Sequence, residues 1–202
     1  VVEVRATDNK DRWLMLMDST GKLSTVDRQH DNAWIGGPGT GWFGGTNSGW
    51  INDRQFWYQS EKTGYSQLYV TDIINHETKA LTSGNFEIQS VRLSADKKSF
   101  YLTSNKVHPG EQHFYRLPVA GGNMEQLTSQ TGSNQVSLSP DEKKLAILYS
   151  YSNKPWELFL QDNKAGAKAS QLTSKGMSPE FAAYAWREPE LINFTARDGA
   201  NV

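Results

Sequence analysis

The sequence predicts an all-β chain assembled from repeated four-stranded units, and three observations predict it. The tripeptide Leu-Thr-Ser recurs at Leu81, Leu127 and Leu172, 46 and then 45 residues apart. Two apolar runs precede each copy, with a polar turn between them: FWYQS and QLYVTD, FYLTS and HFYRLPV, LAILYS and WELFLQD. Aromatic residues make up 11% of the chain and glycine occurs 17 times, a balance that favours strands and turns over helices. Four antiparallel strands in about 40–50 residues is the size of one β-propeller blade. The expected fold is a β-propeller fragment of about four four-stranded blades.

Residues 1–33 read as a partial blade, with the strand-like runs RWLMLMD and KLSTVDR. Residues 34–49 form a Gly-rich connection. Residues 50–90, 91–135 and 136–180 are three blades. In the last of these, Leu145, Ile147, Tyr149 and Tyr151 alternate with Ala146, Leu148 and Ser150. Residues two apart share a sheet face, so the first set makes the larger, more aromatic face. SADKKS and SPDEKK carry turn chemistry: Ser and Asp bond their own backbone, and Pro140 pre-sets φ. A short outer strand then runs into each Leu-Thr-Ser. Residues 181–202 start a last blade and a linker. In SPEFAAYAW, Ser178 and Pro179 suit an N-cap and a first helical turn. The repeat phase calls for a new blade, so a loop entering a strand is expected there instead.

Charge and composition narrow the function classes. Twenty-one Lys+Arg stand against 22 Asp+Glu with no long run of one sign, so the electrostatic footprint of a nucleic-acid binder is absent. No polybasic segment suggests a membrane surface, and no apolar stretch is long enough to span a bilayer. Cysteine is absent, which removes disulfides, thiolate metal sites and a Cys nucleophile. The opening VVEVRATDNKDRW is no signal peptide, and the sequence ends after a turn signal in LINFTARDGANV; both ends read as cut.

Several strings look like chemistry. Gly39 to Gly44 satisfies Gly-x-Gly-x-x-Gly, but the following GTNSGWIND cannot open the helix that a dinucleotide site requires. An inter-blade loop needing positive φ is the expectation, with Trp34, Trp42 and Phe43 as candidates for a share in a binding surface. His108, Glu111 and His113 in HPGEQH are the residue types of a zinc site. Pro109-Gly110 forces a turn, and solvated hairpin residues are expected rather than a metal site. His76 belongs to an exposed loop. Asn193-Phe194-Thr195 fits the N-glycosylation pattern and reads as a chance match. Arg187, Glu188 and Glu190 around Pro189 suit a solvated turn, with a domain-interface ion pair as the alternative. No cofactor site and no metal site are assigned.

The ordered strings FWYQSEKTGYSQLYVTD, HPGEQHFYRLPVAGG, SLSPDEKKLAILYSYSNKPWEL and INFTARDGANV resemble the propeller of dipeptidyl peptidase IV-like serine peptidases of the prolyl oligopeptidase family. The resemblance is good over about residues 50–202 and loose before them. It implies the C-terminal half of a propeller that gates and positions peptide substrate for an α/β-hydrolase domain, in a periplasmic or secreted protein. It also marks residues 181–202 as the approach to that domain. The catalytic residues cannot be carried over. The family's nucleophile sits in Gly-x-Ser-x-Gly, and the nearest string, GTNSG, has Thr46 where the first Gly is required. Nor is there a Glu-Glu pair to hold a substrate amino terminus; Asp141-Glu142 lies in a surface turn. No catalytic residue is therefore assigned. The alternative reading is a non-enzymatic Tol-type propeller that binds a protein partner, and a glycan-processing propeller would need convergent carboxylates. Open blade faces at the two ends make a homodimer an expected possibility.

Overall fold

A computed structural model describes residues 1–41 and 46–202. Four antiparallel sheets follow one another along the chain. The first contains β1 (Val2–Arg5), β2 (Asp11–Met17) and β3 (Leu23–His30). The second runs β4 (Ser48–Trp50), β5 (Gln55–Ser60), β6 (Gln67–Asp72) and β7 (Glu77–Ala80). The third runs β8 (Ile88–Leu93), β9 (Ser99–Ser104), β10 (His113–Pro118) and β11 (Glu125–Gln126). The fourth runs β12 (Ser133–Leu138), β13 (Lys144–Tyr151), β14 (Lys154–Asp162) and β15 (Ser170–Gln171). In every sheet the strands are neighbours in chain order, the up-and-down meander of a propeller blade.

The repeated sequence signals act locally and identically. In the third sheet Asp96 Oδ1 accepts from Ser94 Oγ at 2.7 Å and from the Lys98 N–H at 3.0 Å, while Ser94 Oγ accepts the Ser99 N–H. Ser139, Asp141, Lys143 and Lys144 repeat these bonds in the fourth sheet. The fourth residue of each turn, Lys97 and Glu142, takes φ near +57° and +56°, a strained region for a side chain larger than Gly.

Leu-Thr-Ser closes each outer strand. The Thr hydroxyl accepts a strand-three N–H at 2.9 Å in all three sheets: Thr82 from Leu68, Thr128 from Phe114, Thr173 from Leu158. The preceding Leu N–H bonds back to the carbonyl of that same residue. The hydroxyl thus takes the place of the backbone carbonyl that would otherwise accept that N–H in the ladder. The Leu side chain enters the space between sheets, where Leu81 is 8% and Leu127 3% exposed. Leu172, on the last sheet, is 57% exposed, since no further sheet covers that face.

Three hydrophobic cores fill the three spaces between successive sheets. Leu14 packs with Phe56, Tyr58 and Tyr69 between the first and second sheets. Trp57, Leu68 and Val70 pack with Ile88, Phe100 and Leu102 between the second and third. Tyr101 and Phe114 pack with Leu145, Ile147 and Tyr149 between the third and fourth. The expected large face of the last blade is therefore its inward face.

One expectation is corrected. SPEFAAYAW does not enter a strand: α1 (Pro179–Ala183) forms, with Ser178 Oγ accepting the Phe181 N–H at 3.2 Å. The cap and the proline prevail because no sheet neighbour is present there to reward an extended chain. Residues 184–202 contain no named strand among those described; Thr195 and Asn201 make an isolated bridge around the Asp198-Gly199 turn. The first sheet, over the residues read as a partial blade, has three strands. At the end of β3, Gln29 Oε1 accepts from Ser60 and Glu61 at the β5–β6 hairpin. Glu87, beyond β7, meets the β9–β10 hairpin at the corresponding place through its backbone, its N–H donating to Asn105 Oδ1 and its carbonyl accepting from Ser104 Oγ. β3 is thus an outer strand, and β1 to β3 stand where strands two to four stand in the other sheets.

Thr82→Val and Thr128→Val each leave a buried N–H without its acceptor, and each is expected to cost about 1–3 kcal/mol in urea unfolding. Thr173→Val, whose partner N–H is near solvent, is expected to cost less than either. Equal losses at all three sites would contradict this account of the repeat.

Candidate functional site

In a four-stranded meander, the hairpin between strands two and three shares one edge of the sheet with the connector to the next sheet. Among the described residues, connector stretches (31–41 with 46–47, 82–87, 128–132, 173–178) and hairpins (6–10, 61–66, 105–112, 152–153) therefore gather on a single rim. This rim is the candidate site.

The first connector is built, not slack. Asp31 Oδ1 accepts the N–H groups of Ala33 and Trp34 at 2.7 and 3.0 Å, and Ile35 is buried. Glu61 Oε1 accepts the Gly36 N–H at 2.9 Å. The Pro38 carbonyl accepts from Ser66 Oγ at 2.6 Å and from Gln59 Nε2 at 3.4 Å. Gly39 has φ +70°, and a Cβ there would stand 2.2 Å from Gln59 Oε1. The expected positive-φ inter-blade loop is thus found at Gly39 and Gly41. Trp42, Phe43 and Gly44 lie outside the described residues, and Trp34 is half-exposed.

Beneath this connector lies a charge the sequence did not announce. Arg12 is fully buried. Its Nε bonds Glu3 Oε1 at 3.0 Å, Nη1 donates to the Gln59 carbonyl at 3.1 Å, and Nη2 donates to Thr46 Oγ1 at 3.0 Å. Burial lowers its pKa from the ordinary arginine value, and the Glu3 carboxylate opposes that shift. Arg12 so ties the first sheet to the second where the connector lands on β4.

Carboxylates recur along the rim. Glu87 Oε2 accepts the Ser66 N–H at 2.6 Å. Burial, aided by the Glu61 charge, raises its pKa despite that bond. His113 is a correction: expected in solvent, it is 2% exposed. Its Nε2 faces Glu111 Oε2 at 2.8 Å and its Nδ1 faces the Thr128 carbonyl at 3.1 Å. The pattern of the HPGEQH string hid this, because His113 is the first residue of β10 rather than the last of a loop. His108 and Glu111 line a cavity of about 420 Å³ with Tyr151, Glu190 and Leu191. Glu188 Oε1 accepts from Asn153 Nδ2 at 2.9 Å, while Arg187, Glu188 and Glu190 are exposed. Burial, with a smaller contribution from Glu111, pushes the Tyr115 phenol up to about 12. No three His, Asp or Glu side chains converge to hold a metal among the described residues.

The remaining candidates stay apart from the rim network. His76 is an exposed turn residue with φ +59°, and Asn193 is exposed. Ser48 of GTNSG begins strand β4 rather than a strand-to-helix elbow. Glu142 does more than expected of a surface turn: its Oε1 accepts the Ala95 N–H at 3.0 Å and lies 3.6 Å from Arg92, joining the third and fourth sheets. The residues that sequence reading missed, Arg12, Gln59 and Glu87, belong to no motif. The one available hint was a polar residue inside an apolar strand pattern. Chemically, the rim offers partly buried carboxylates, backbone groups and aromatic faces, which are means of recognition and positioning.

Gly39→Ala is expected to destabilise the chain by about 1–3 kcal/mol, through its positive φ and the contact with Gln59. Thermal unfolding of the variant beside Gly21→Ala, where a Cβ meets nothing within 4 Å, separates contact from backbone strain. A loss no larger at Gly39 than at Gly21 would contradict the packed connector.

A family model described as the dipeptidyl peptidase IV (DPP IV) N-terminal region matches residues 2–156. Probable dipeptidyl-aminopeptidase B of Emericella nidulans is 32% identical over 141 residues, 65% of this chain and 15% of that protein. Dipeptidyl-aminopeptidase B of Aspergillus niger is 32% identical over 99 residues, 46% of this chain and 11% of that protein. The chain thus spans a small part of the length of these relatives. Among solved structures, TolB from Acinetobacter baumannii superimposes with a TM-score of 0.51 at 22% identity, over 88% of this chain and 42% of that one; this likeness bears on fold alone. With its repeated four-stranded sheets and a family match over most of its length, the chain belongs to the dipeptidyl peptidase IV N-terminal region family.

Proposed function

We propose that the chain is the non-catalytic propeller portion of a dipeptidyl peptidase IV-like serine exopeptidase. In this reading it gates access to an α/β-hydrolase domain and positions peptide substrate for it. The family match over residues 2–156 carries the proposal. The rim supports it physically. Connectors pinned by Gln59, Arg12 and Glu61 hold their shape without substrate, so little ordering entropy is lost when a peptide is aligned against them. Restricted access and orientation are then the contributions of this chain, and proton transfer belongs to the hydrolase domain. A periplasmic or secreted location goes with the same reading. The Tol-type binding propeller is the second reading; the dipeptidyl-aminopeptidase names among the relatives favour the first.

The partners proposed are peptide, the hydrolase domain, and a second copy through the open sheet faces. The outward face of the last sheet presents Leu148, Trp156, Leu160 and Leu172 to solvent, and such uncovered apolar area favours association.

Two experiments test the proposal. Residues 1–202 alone are expected not to hydrolyse dipeptidyl chromogenic substrates and not to react with a fluorophosphonate probe. The complete parent protein is expected to do both. Labelling of any serine within residues 1–202 would overturn the assignment, as would an inert parent. In sedimentation, the isolated chain is expected to self-associate, and Leu148→Lys with Leu160→Lys to shift it towards monomer. A wild-type chain that remains monomeric at high concentration would remove the second copy from the partners.

A further inference from the structure

His30 closes strand β3 at the point where the chain leaves the first sheet for the rim. Its imidazole stands between two oxygens. Nδ1 is 3.1 Å from Asp11 Oδ1 on the paired strand β2, and Nε2 is 3.2 Å from Asn32 Oδ1 on the connector. A ring that donates to an oxygen from each nitrogen carries both protons, and imidazole is the side chain that gains its second proton nearest neutral pH. We propose that His30 is a proton-dependent latch fastening the entry of the first connector to the first sheet.

The surrounding charges suit this role. Asp11 from β2 faces the ring directly, and the same Oδ1 takes a hydrogen bond from Arg28 Nη2 of β3 at 3.2 Å. Asp31 of the connector adds a second carboxylate close by. The two acids favour the imidazolium, and Arg28 opposes it. The balance favours the imidazolium. The Asn32 and Asp11 hydrogen bonds raise the His30 pKa above its ordinary value of 6.5. At Asp11, burial works to raise the pKa, but the bonds from His30 and Arg28 outweigh it and hold the carboxyl below its ordinary value.

The sign follows from a base whose pKa is raised by the fold. The latch is fully closed below the ordinary imidazole value and opens as pH rises through the raised one. What it fastens is the segment that sets up the rim loop. Asn32 lies between Asp31, which caps the Ala33 and Trp34 amides, and Ile35, which is buried. Gly36 then docks on Glu61. Releasing Asn32 leaves residues 31–34 of the connector held by the Asp31 N–H to the Lys10 carbonyl and by the Asp31 cap, with the next anchor at the Ile35 N–H on the Asn9 carbonyl. The deprotonated form therefore has a looser entry to the rim without any change in the sheets.

Nuclear magnetic resonance titration of the His30 ring, together with hydrogen exchange of the Ala33 and Trp34 amides, tests the latch. In the wild-type chain His30 is expected to titrate above 6.5. Amide protection at Ala33 and Trp34 is expected to fall several-fold through that same pH range, after correction for intrinsic exchange. Asn32→Ala and Asp11→Asn should each lower the His30 pKa, and His30→Gln should remove the pH step in protection while the β5 and β9 amides stay unchanged. A wild-type His30 pKa at or below 6.5 would overturn the proposal, because Asn32 would then be presenting its amide N–H to a neutral ring. So would protection that ignores the titration, or a pH step that survives in His30→Gln.

Discussion

Everything in this chain depends on one constraint: alternate residues of a single strand belong to different hydrophobic cores. In β9, Phe100 and Leu102 pack towards the second sheet while Tyr101 packs towards the fourth. In β5, Phe56 and Tyr58 face the first sheet and Trp57 faces the third. A β-strand sends successive side chains to opposite faces, so a four-stranded sheet in the middle of the stack has no solvated face. Each large apolar side chain buried this way contributes about 1.5–3 kcal/mol, yet none of that is available to a sheet standing alone. Stability resides between sheets, as expected for repeat architectures in which each unit contacts its neighbours.

That constraint explains the polar chemistry of the rim. Chain crossing from one sheet to the next passes over the closed end of a core, where backbone groups lose water and must find partners. Gln59 Nε2 reaches the Ile88 carbonyl at 2.6 Å, Asn134 Nδ2 reaches the Gln112 carbonyl at 2.9 Å, and Gln161 Nε2 reaches the Leu127 carbonyl at 2.6 Å. Each bond spans two sheets or a sheet and its connector. Arg12 does the same with a full charge, which is tolerable in the interior because Glu3 pairs with it and the Gln59 carbonyl and Thr46 hydroxyl each accept a further N–H. The connectors at the rim are consequently hydrogen-bonded to the sheets they join. A stiff edge of this kind can hold loops in place against a partner domain or a peptide.

The ends of the stack show the same principle by its incompleteness. The inward residues of β13, Leu145 and Ile147, are buried to the same degree as core residues of the middle sheets, while Leu148 and Leu160 on the other side are exposed. Both faces carry large apolar side chains, but only the inward one has a sheet standing opposite it. Helix α1 belongs to this end as well: with no neighbouring sheet to draw the segment into a ladder, a capping Ser and a first-turn Pro decide its conformation. Repeat phase is a strong guide inside the stack and loses its force where the stack stops.

The sequence by itself determined the number and order of strands in the last three sheets, the Ser-Asp turns, the outer Leu-Thr-Ser closures and the absence of a nucleophile elbow. All of these are written in residues within a few positions of one another, where local hydrogen bonding and period-two alternation suffice. It did not disclose that Arg12, Gln59 and His113 are buried, because each looks like an ordinary polar residue until a different sheet closes over it. Thr46 and Glu3 lie 34 and 9 residues from Arg12 in the chain, and no spacing rule joins them. Tertiary structure alone decided those partners, since the desolvation that makes a polar group need one arises only when the sheets stack.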